Sequence, residues 1–167
     1  YEYENGVYNV DGDVSLIEHV DKLPVKFGEV TGSFHCDANK LTSLEGSPTS
    51  VGGYFDCSRN ILTSLEGCPV HVGGSFYCND NNLTSLKGCP KHIGRDFGCA
   101  YNELVNLKGA TDHIVKSFYC NDNKLTTLEG APSHVGGDFY CHFNKLTSLK
   151  GCPTSISGHF NCDDSLL

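Results

Sequence analysis

The chain has 167 residues, of which 38% are hydrophobic and 19% are charged. This composition is typical of a globular protein that buries a core, and it argues against a disordered chain. The formal net charge of −8 comes from scattered Asp and Glu residues, which disfavours nucleic-acid binding and favours a basic protein partner. No apolar run reaches the length of a membrane span, and the N-terminal residues lack the features of a signal peptide.

The first 31 residues differ from the rest and are expected to form an N-terminal cap. The segment VYNVDGDVSL places Asp11-Gly12 between alternating apolar residues, which predicts a β-hairpin over residues 7–16. The next segment, VDKLPVKFGEVTG, aligns with the later LTSLEGSPTSVGG and predicts a degenerate coil. This alignment places Val20 under Leu41 and Leu23 under Leu44.

Residues 32–167 form an array of units in which the same marker residues recur every 21 positions. One unit reads F-x-C-x-x-N-x-L-T-S-L-x-G-x-P-x-x-V-G-G-x, and the last unit is incomplete. Repetition at such a period is typical of a solenoid. The phenylalanines that mark the units are Phe34, Phe55, Phe76, Phe97, Phe118, Phe139 and Phe160.

Each unit predicts one short β-strand. In SFYCN, Phe76 and Cys78 alternate with Ser75, Tyr77 and Asn79, which is the period of a strand with one buried face. A single coil cannot bury its own apolar face, so the coils are expected to stack. The array therefore predicts a parallel sheet of seven strands.

The unit also resembles a known family. The core F-x-C-x-x-N-x-L resembles the leucine-rich repeat signature L-x-L-x-x-N-x-L, with Phe and Cys where Leu is usual. Its L-T-S-L motif is similar to repeats of bacterial effector proteins, and its V-G-G-x-F-x-C motif resembles small repeat proteins of tailed phages. The resemblance implies a right-handed coil with a parallel β-sheet on its concave face and little or no α-helix. It also implies a phage or bacterial accessory protein, active in the host cytoplasm if phage-encoded.

The ten cysteines are expected to be buried free thiols. Neighbouring strands place in-register Cβ atoms about 4.8 Å apart and parallel, whereas a disulfide needs roughly 3.5–4.5 Å and converging vectors. Free thiols in this number indicate a reducing compartment such as the cytoplasm. No metal-ligand spacing is apparent among the cysteines, so we expect neither a metal nor another cofactor.

Two polar columns recur with the same period. The asparagines from Asn39 to Asn144 are expected to form a ladder that satisfies backbone groups of their own and of the adjacent coil. The histidines have two interpretations. In the first, stacked imidazoles bind a metal or repel one another when they are protonated. In the second, which we favour, they occupy an exposed polar position. They are His71, His92, His113 and His134.

The outward strand positions and the following turn vary between repeats and predict a binding surface on the concave face. Tyrosine surrounded by Asn, Asp and His is typical of protein recognition, although Tyr and Phe also suit exposed strands by β-propensity alone. The predicted partner-binding residues are Tyr77, Tyr101, Tyr119, Tyr140, Phe143, Asp56, Asp80, Asp122 and His142.

Repeat four departs from the pattern. It has Thr111 in place of Pro and Val115-Lys116 in place of Gly-Gly, and it puts Gly98 in the tyrosine column. One hypothesis is a change of curvature there, with a notch between Tyr77 and Tyr119 that accepts a partner's side chain. The alternative is sequence drift in a surface that tolerates change.

Three classes of function follow from these features. A non-catalytic protein-binding module, such as an accessory or inhibitor protein, agrees best with the varied columns. An enzyme is disfavoured because the sequence shows no nucleophile elbow and no phosphate-binding loop. The alternative is a structural or assembly component that self-associates or continues at the C-terminal end, where the array stops in mid-coil.

Because the chain lacks methionine and begins with Tyr1, we also expect native residues to be missing at its start.

Overall fold

A computed structural model describes residues 1–17 and 19–163 of the chain, which wind into a β-solenoid. These residues form strands and turns and contain no helix. The repeat solenoid predicted from the sequence is confirmed. The seventeen strands are β1 (Glu2–Glu4), β2 (Val7–Val10), β3 (Val14–Ser15), β4 (Phe27–Val30), β5 (Phe34–His35), β6 (Ser50–Val51), β7 (Phe55–Asp56), β8 (His71–Val72), β9 (Phe76–Tyr77), β10 (His92–Ile93), β11 (Phe97–Gly98), β12 (His113–Ile114), β13 (Phe118–Tyr119), β14 (His134–Val135), β15 (Phe139–Tyr140), β16 (Ser155–Ile156) and β17 (Phe160–Asn161).

The odd-numbered strands from β3 to β17 form one eight-stranded parallel sheet, which we call the Phe sheet. Neighbouring strands pair with equivalent residues aligned, for example Phe34 with Phe55 and His35 with Asp56. The parallel pairing predicted from the sequence is confirmed. The eighth strand is β3, where Val14 pairs with Phe34, so part of the segment predicted as a hairpin also contributes to this sheet.

A second sheet, the Val sheet, was not predicted. Strands β1, β2, β4, β6, β8 and β10 form a six-stranded sheet, and β12, β14 and β16 continue as three strands. The prediction of one strand per repeat is therefore wrong, because the dipeptide before each Gly-Gly also pairs with its neighbours. The interruption between β10 and β12 lies in irregular repeat four, which has Thr111 and Val115 where other repeats have Pro and Gly. The Phe sheet continues through this region.

The N-terminal hairpin exists, but the predicted span of residues 7–16 is wrong. Strands β1 and β2 pair antiparallel around Asn5-Gly6, whose φ angles of 51° and 80° fit a two-residue hairpin turn. Strand β2 instead pairs parallel with β4, and β3 pairs parallel with β5. Asp11-Gly12 forms the corner between the two sheets, and the Gly12 carbonyl accepts a hydrogen bond from Gly32 N–H at 3.0 Å. This dipeptide is therefore the N-terminal equivalent of the repeated Gly-Gly.

The core lies between the two sheets and consists of repeated columns of Phe, Cys, Leu and Val side chains. The rings of Phe34 and Phe55, both fully buried, stack with their centroids 5.5 Å apart. Leu23 is buried and Val20 packs against the same core, which confirms the register predicted for the degenerate coil. At the other end Phe160 is 38% exposed. Residues 164–167, at the end of the chain, lie outside the described part.

The asparagine ladder is confirmed. The Oδ1 of Asn60 accepts a hydrogen bond from Leu41 N–H at 2.9 Å, in the preceding coil. Its Nδ2 donates to the carbonyls of Cys57 in its own coil and Cys36 in the preceding coil, both at 3.0 Å. One amide thus satisfies donors and acceptors of two coils, which otherwise would be buried without partners.

All ten cysteines are free thiols, which confirms that no ladder of disulfides forms. The Sγ atoms of Cys57 and Cys78 donate to the carbonyls of Tyr77 and Gly98, each at 3.4 Å. Burial raises the pKa of both thiols well above its usual value, with neighbouring thiols contributing. The buried cysteines therefore act as small apolar core residues rather than as nucleophiles.

Candidate functional site

The predicted binding residues lie on two adjacent columns. Five of them occupy the outward face of the Phe sheet and are at most partly exposed: Asp56, Tyr77, Tyr119, Tyr140 and His142. The other four occupy the turn that follows each strand, which we call the turn column: Asp80, Tyr101, Asp122 and Phe143.

Tyr119, Tyr140, His142 and Phe143 form a continuous aromatic cluster. The rings of Tyr119 and Tyr140 stack at a centroid distance of 5.3 Å, with an angle of 6° between their planes. His142 contacts Tyr140 and Phe143 edge-on, at centroid distances of 6.0 Å and 5.2 Å. Desolvation raises the pKa of the Tyr140 hydroxyl, and the nearby Asp138 carboxylate adds to this effect. The Tyr140 hydroxyl donates a hydrogen bond to Asp138 Oδ2 at 3.3 Å.

The turn column has left-handed backbone geometry. The φ angles of Asp80, Tyr101, Asp122 and Phe143 lie between 51° and 54°. Asp tolerates this conformation because its short side chain can bond locally, whereas bulky aromatic residues adopt it rarely. Nevertheless, Tyr101 and Phe143 are present there with 58% and 54% of their surface exposed. Their rings thus contribute little to the core.

The notch proposed between Tyr77 and Tyr119 is not present as expected. Gly98 is buried, and a Cβ added to it would lie 2.7 Å from Cδ1 of the Tyr77 ring. The Asn79 side chain also occupies this space, and its Oδ1 accepts a hydrogen bond from Ala100 N–H at 2.9 Å. The missing side chain at position 98 is therefore replaced by side chains of the preceding coil.

A shallow cavity of about 210 Å³ opens on the outward face of the Phe sheet in the earlier coils. It combines two carboxylates, two phenol rings, an imidazole and a hydroxyl. The lining residues are His35, Tyr54, Asp56, Ser75, Tyr77 and Asp96. Carboxylates next to aromatic rings suit a cationic side chain, which can form ion pairs and lie against a ring face.

Several polar residues before each phenylalanine have a structural role that the sequence analysis missed. The Ser117 backbone N–H donates to Asp96 Oδ1 at 3.0 Å, and the Asp138 N–H donates to Ser117 Oγ at 3.1 Å. Asp96 N–H donates in the same way to Ser75 Oγ at 3.2 Å. These side chains therefore link successive coils at the corner of the solenoid. The recurrence of Ser or Asp directly before Phe was the available signal.

The histidine column lies on the Val sheet and is exposed, as favoured from the sequence. His71 and His92 stack with centroids 4.6 Å apart, and His113 and His134 pair more loosely at 5.8 Å. The break between β10 and β12 separates the two pairs. A metal-binding role for this column stays a hypothesis.

Three potential metal ligands meet on the first two repeats of the array, a cluster that the sequence analysis missed. The ligand atoms of His35, Asp37 and Asp56 all lie within 4.8 Å of one another. Arg59 Nη2 forms an ion pair with Asp37 Oδ2 at 2.7 Å. The available signal was His-x-Asp on one strand, with Asp56 one repeat after His35.

No helix among the described residues has the length and apolarity that are needed to span a membrane. Comparison with known proteins leaves the assignment of function to the geometry described above. No protein-family model, curated protein or solved structure matches this chain.

Proposed function

We propose that this chain is a non-catalytic protein-binding module of the leucine-rich repeat type. Its partner would contact the outward face of the Phe sheet and the adjoining turn column. The constant columns supply the core and the hydrogen bonds of the coils, whereas the outward positions vary from repeat to repeat. A solenoid of this kind can present side chains at a fixed spacing of about 4.8 Å per coil.

The observation that carries this proposal is the conformation of Tyr101 and Phe143. Both rings are more than half exposed, and both residues have left-handed backbone geometry that costs a bulky side chain roughly 1–2 kcal/mol. Asp80 and Asp122 show that a small polar residue is accepted at equivalent positions. Exposed aromatic residues that folding does not require are typical anchors of a protein interface.

The charge distribution favours a basic partner. Asp56 and Asp96 line the same shallow cavity as the rings of Tyr54 and Tyr77. A lysine or arginine side chain of a partner would find ion-pair acceptors and aromatic faces there. The net charge of −8 would also accelerate the approach of such a partner. The buried free thiols agree with a reducing compartment such as the cytoplasm.

The test is a pull-down with the native chain and a Tyr101→Asn/Phe143→Asn variant, read by mass spectrometry. Asn tolerates left-handed geometry, so this variant should fold normally and lose the partner. A second variant, with Tyr77, Tyr119 and Tyr140 all replaced by Ala, removes the rings of the sheet face.

The matched control is Val70→Ser. Val70 is 55% exposed, and Ser133 occupies the equivalent position three repeats later. This control removes an exposed apolar side chain outside the proposed surface and should capture the same partner as the native chain. Equal capture by all variants would refute the proposed surface.

A further inference from the structure

The ends of β5 and β7 place four polar side chains in a compact block, which we call the His35 block. His35 pairs in register with Asp56, and residues two positions apart on a strand share a face. Asp37 and Ser58 therefore lie next to each other beyond this pair, and Ala38 N–H donates to Ser58 O at 2.9 Å. The block consists of His35, Asp37, Asp56 and Ser58.

The spacing within the block suits a metal ion. The ligand atoms of His35, Asp37 and Asp56 lie within 4.8 Å of one another. Ligands that sit about 2.1 Å from a common ion are at most about 4.2 Å apart, so small side-chain rotations would close the site. All three residues are partly buried, which limits the cost of ordering them.

Ser58 provides an independent observation. It is only 8% exposed, yet its Oγ has no hydrogen-bond partner in the described part of the chain. Its backbone N–H donates to Asp56 Oδ1 at 2.9 Å, which orients that carboxylate. Because Ser58 neighbours Asp37 in register and follows Asp56 by two positions, its buried hydroxyl without a partner is a candidate for a further oxygen donor to a bound ion.

The ion pair with Arg59 does not prevent metal binding. Arg59 is exposed, and its guanidinium bonds Asp37 Oδ2 at 2.7 Å. Exposed ion pairs of this kind contribute little to stability, so a divalent cation can replace the guanidinium. Arg59 is therefore a competitor for Asp37, and its removal should favour the metal.

We propose that the His35 block binds one divalent transition-metal ion through the imidazole of His35 and the carboxylates of Asp37 and Asp56. One imidazole with two carboxylates suits Zn²⁺, Co²⁺ or Ni²⁺ better than Mg²⁺ or Ca²⁺, which prefer oxygen ligands alone. His35 and Asp56 also line the 210 Å³ cavity. The remaining coordination positions of the ion thus face this cavity, where water or a donor group of a bound molecule completes them.

The experiment is a titration of the reduced, folded protein with Co²⁺, followed by visible absorption and calorimetry. We expect saturation at one ion per chain, with a spectrum of nitrogen and oxygen ligands and no thiolate-to-cobalt charge-transfer band. His35→Ala and Asp56→Asn should each weaken binding at least about tenfold, as expected for the loss of a ligand or its orientation. Excess Mg²⁺ should not displace the ion.

Two further variants keep the proposal falsifiable if a ligand substitution harms folding. Arg59→Gln removes the competitor and should tighten binding several-fold, a gain that misfolding cannot produce. His71→Ala/His92→Ala removes the stacked histidines of the Val sheet and should leave binding unchanged. Absence of saturable binding, unchanged binding by His35→Ala, or loss of binding in the His71→Ala/His92→Ala variant would each overturn the assignment.

Discussion

The side chain of Asn81 replaces a backbone partner for Leu62, one coil earlier. Asn81 Oδ1 accepts the Leu62 N–H at 2.9 Å, and Asn81 Nδ2 donates to the carbonyls of Cys57 and Cys78 at 3.1 Å and 3.3 Å. These backbone groups are buried, so no other partner is available without opening the coil. The arrangement recurs along the array and joins each coil to its neighbour.

Replacement of Asn81 by Ala should lower the free energy of unfolding by about 1–3 kcal/mol, because it leaves buried backbone groups without partners. The adjacent Asn82 provides the control, since its side chain is exposed. Asn82→Ala should change stability by less than about 0.5 kcal/mol. Urea unfolding of both variants tests this, and equal midpoints would contradict the role of the ladder.

The core was predictable because one sequence period determines it. Phe76 and Cys78 alternate with polar neighbours, and the unchanged 21-residue spacing allows only an in-register stack. The Val sheet was missed because a two-residue strand such as His71–Val72 shows no alternation long enough to recognise. The hairpin was misplaced because Asp-Gly suits both a hairpin and a solenoid corner, and only the pairing partners distinguish the two.

The candidate sites were only partly predictable. The sequence located Tyr77, Tyr101 and Phe143 on outward or turn positions, because the array fixes which positions leave the core. It could not give the left-handed geometry of Tyr101 and Phe143, since the residue type at this turn position changes along the array, from Ala38 and Arg59 to Asp80 and Asp122. The predicted register already made His35 and Asp56 neighbours, but the cluster that they form with Asp37 was missed, because its ligands come from two coils rather than from one local motif.

Substitution of Gly88 by Ala should destabilise the chain strongly. Gly88 has a φ of 92°, and a Cβ there would lie 2.7 Å from the carbonyl carbon of Leu65. The variant therefore combines backbone strain with a contact that requires the coils to separate, and we expect a loss of about 2–4 kcal/mol.

Gly6→Ala is the matched control for the steric part of this effect. Gly6 also has a positive φ, of 80°, but nothing lies within 4 Å of the position of its Cβ. This substitution should therefore cost only the backbone term, about 1 kcal/mol. Thermal or urea denaturation would compare the two variants, and an equal loss in both would contradict the close approach of coils at Gly88.

The buried thiols should make the fold sensitive to alkaline pH. Burial raises the pKa of Cys57, Cys78, Cys99 and Cys120 well above the usual value, and that of Cys89 to about 11. Above the ordinary thiol pKa of about 8.5, the unfolded chain loses these protons while the folded chain keeps them. Stability is therefore complete below that pH and falls as pH rises, by about 1.4 kcal/mol per pH unit for each thiol.

Urea midpoints under reducing conditions at about pH 7.5 and about pH 9 would measure this loss, because most lysine and tyrosine side chains are still protonated at both pH values. A Cys78→Ala variant should start from a lower stability but show a shallower dependence on pH, because one titrating group is absent. Identical midpoints at the two pH values would show that the thiols are accessible to solvent in the folded chain.

Replacement of Tyr101 by Asn should raise stability while weakening partner binding. Tyr101 has a φ of 54° and is 58% exposed, so the substitution relieves backbone strain and removes few core contacts. We expect a gain of up to about 1 kcal/mol, because Asn adopts the left-handed conformation more readily than Tyr.

The control is Ile61→Asn, which removes a side chain that is 48% exposed at a position where another repeat has Asn82. Ile61 has no positive φ, so its replacement should give no gain. A Tyr101→Asn variant that is less stable than the native chain would mean that the ring supports the fold, and the argument for a binding role of the turn column would then fail.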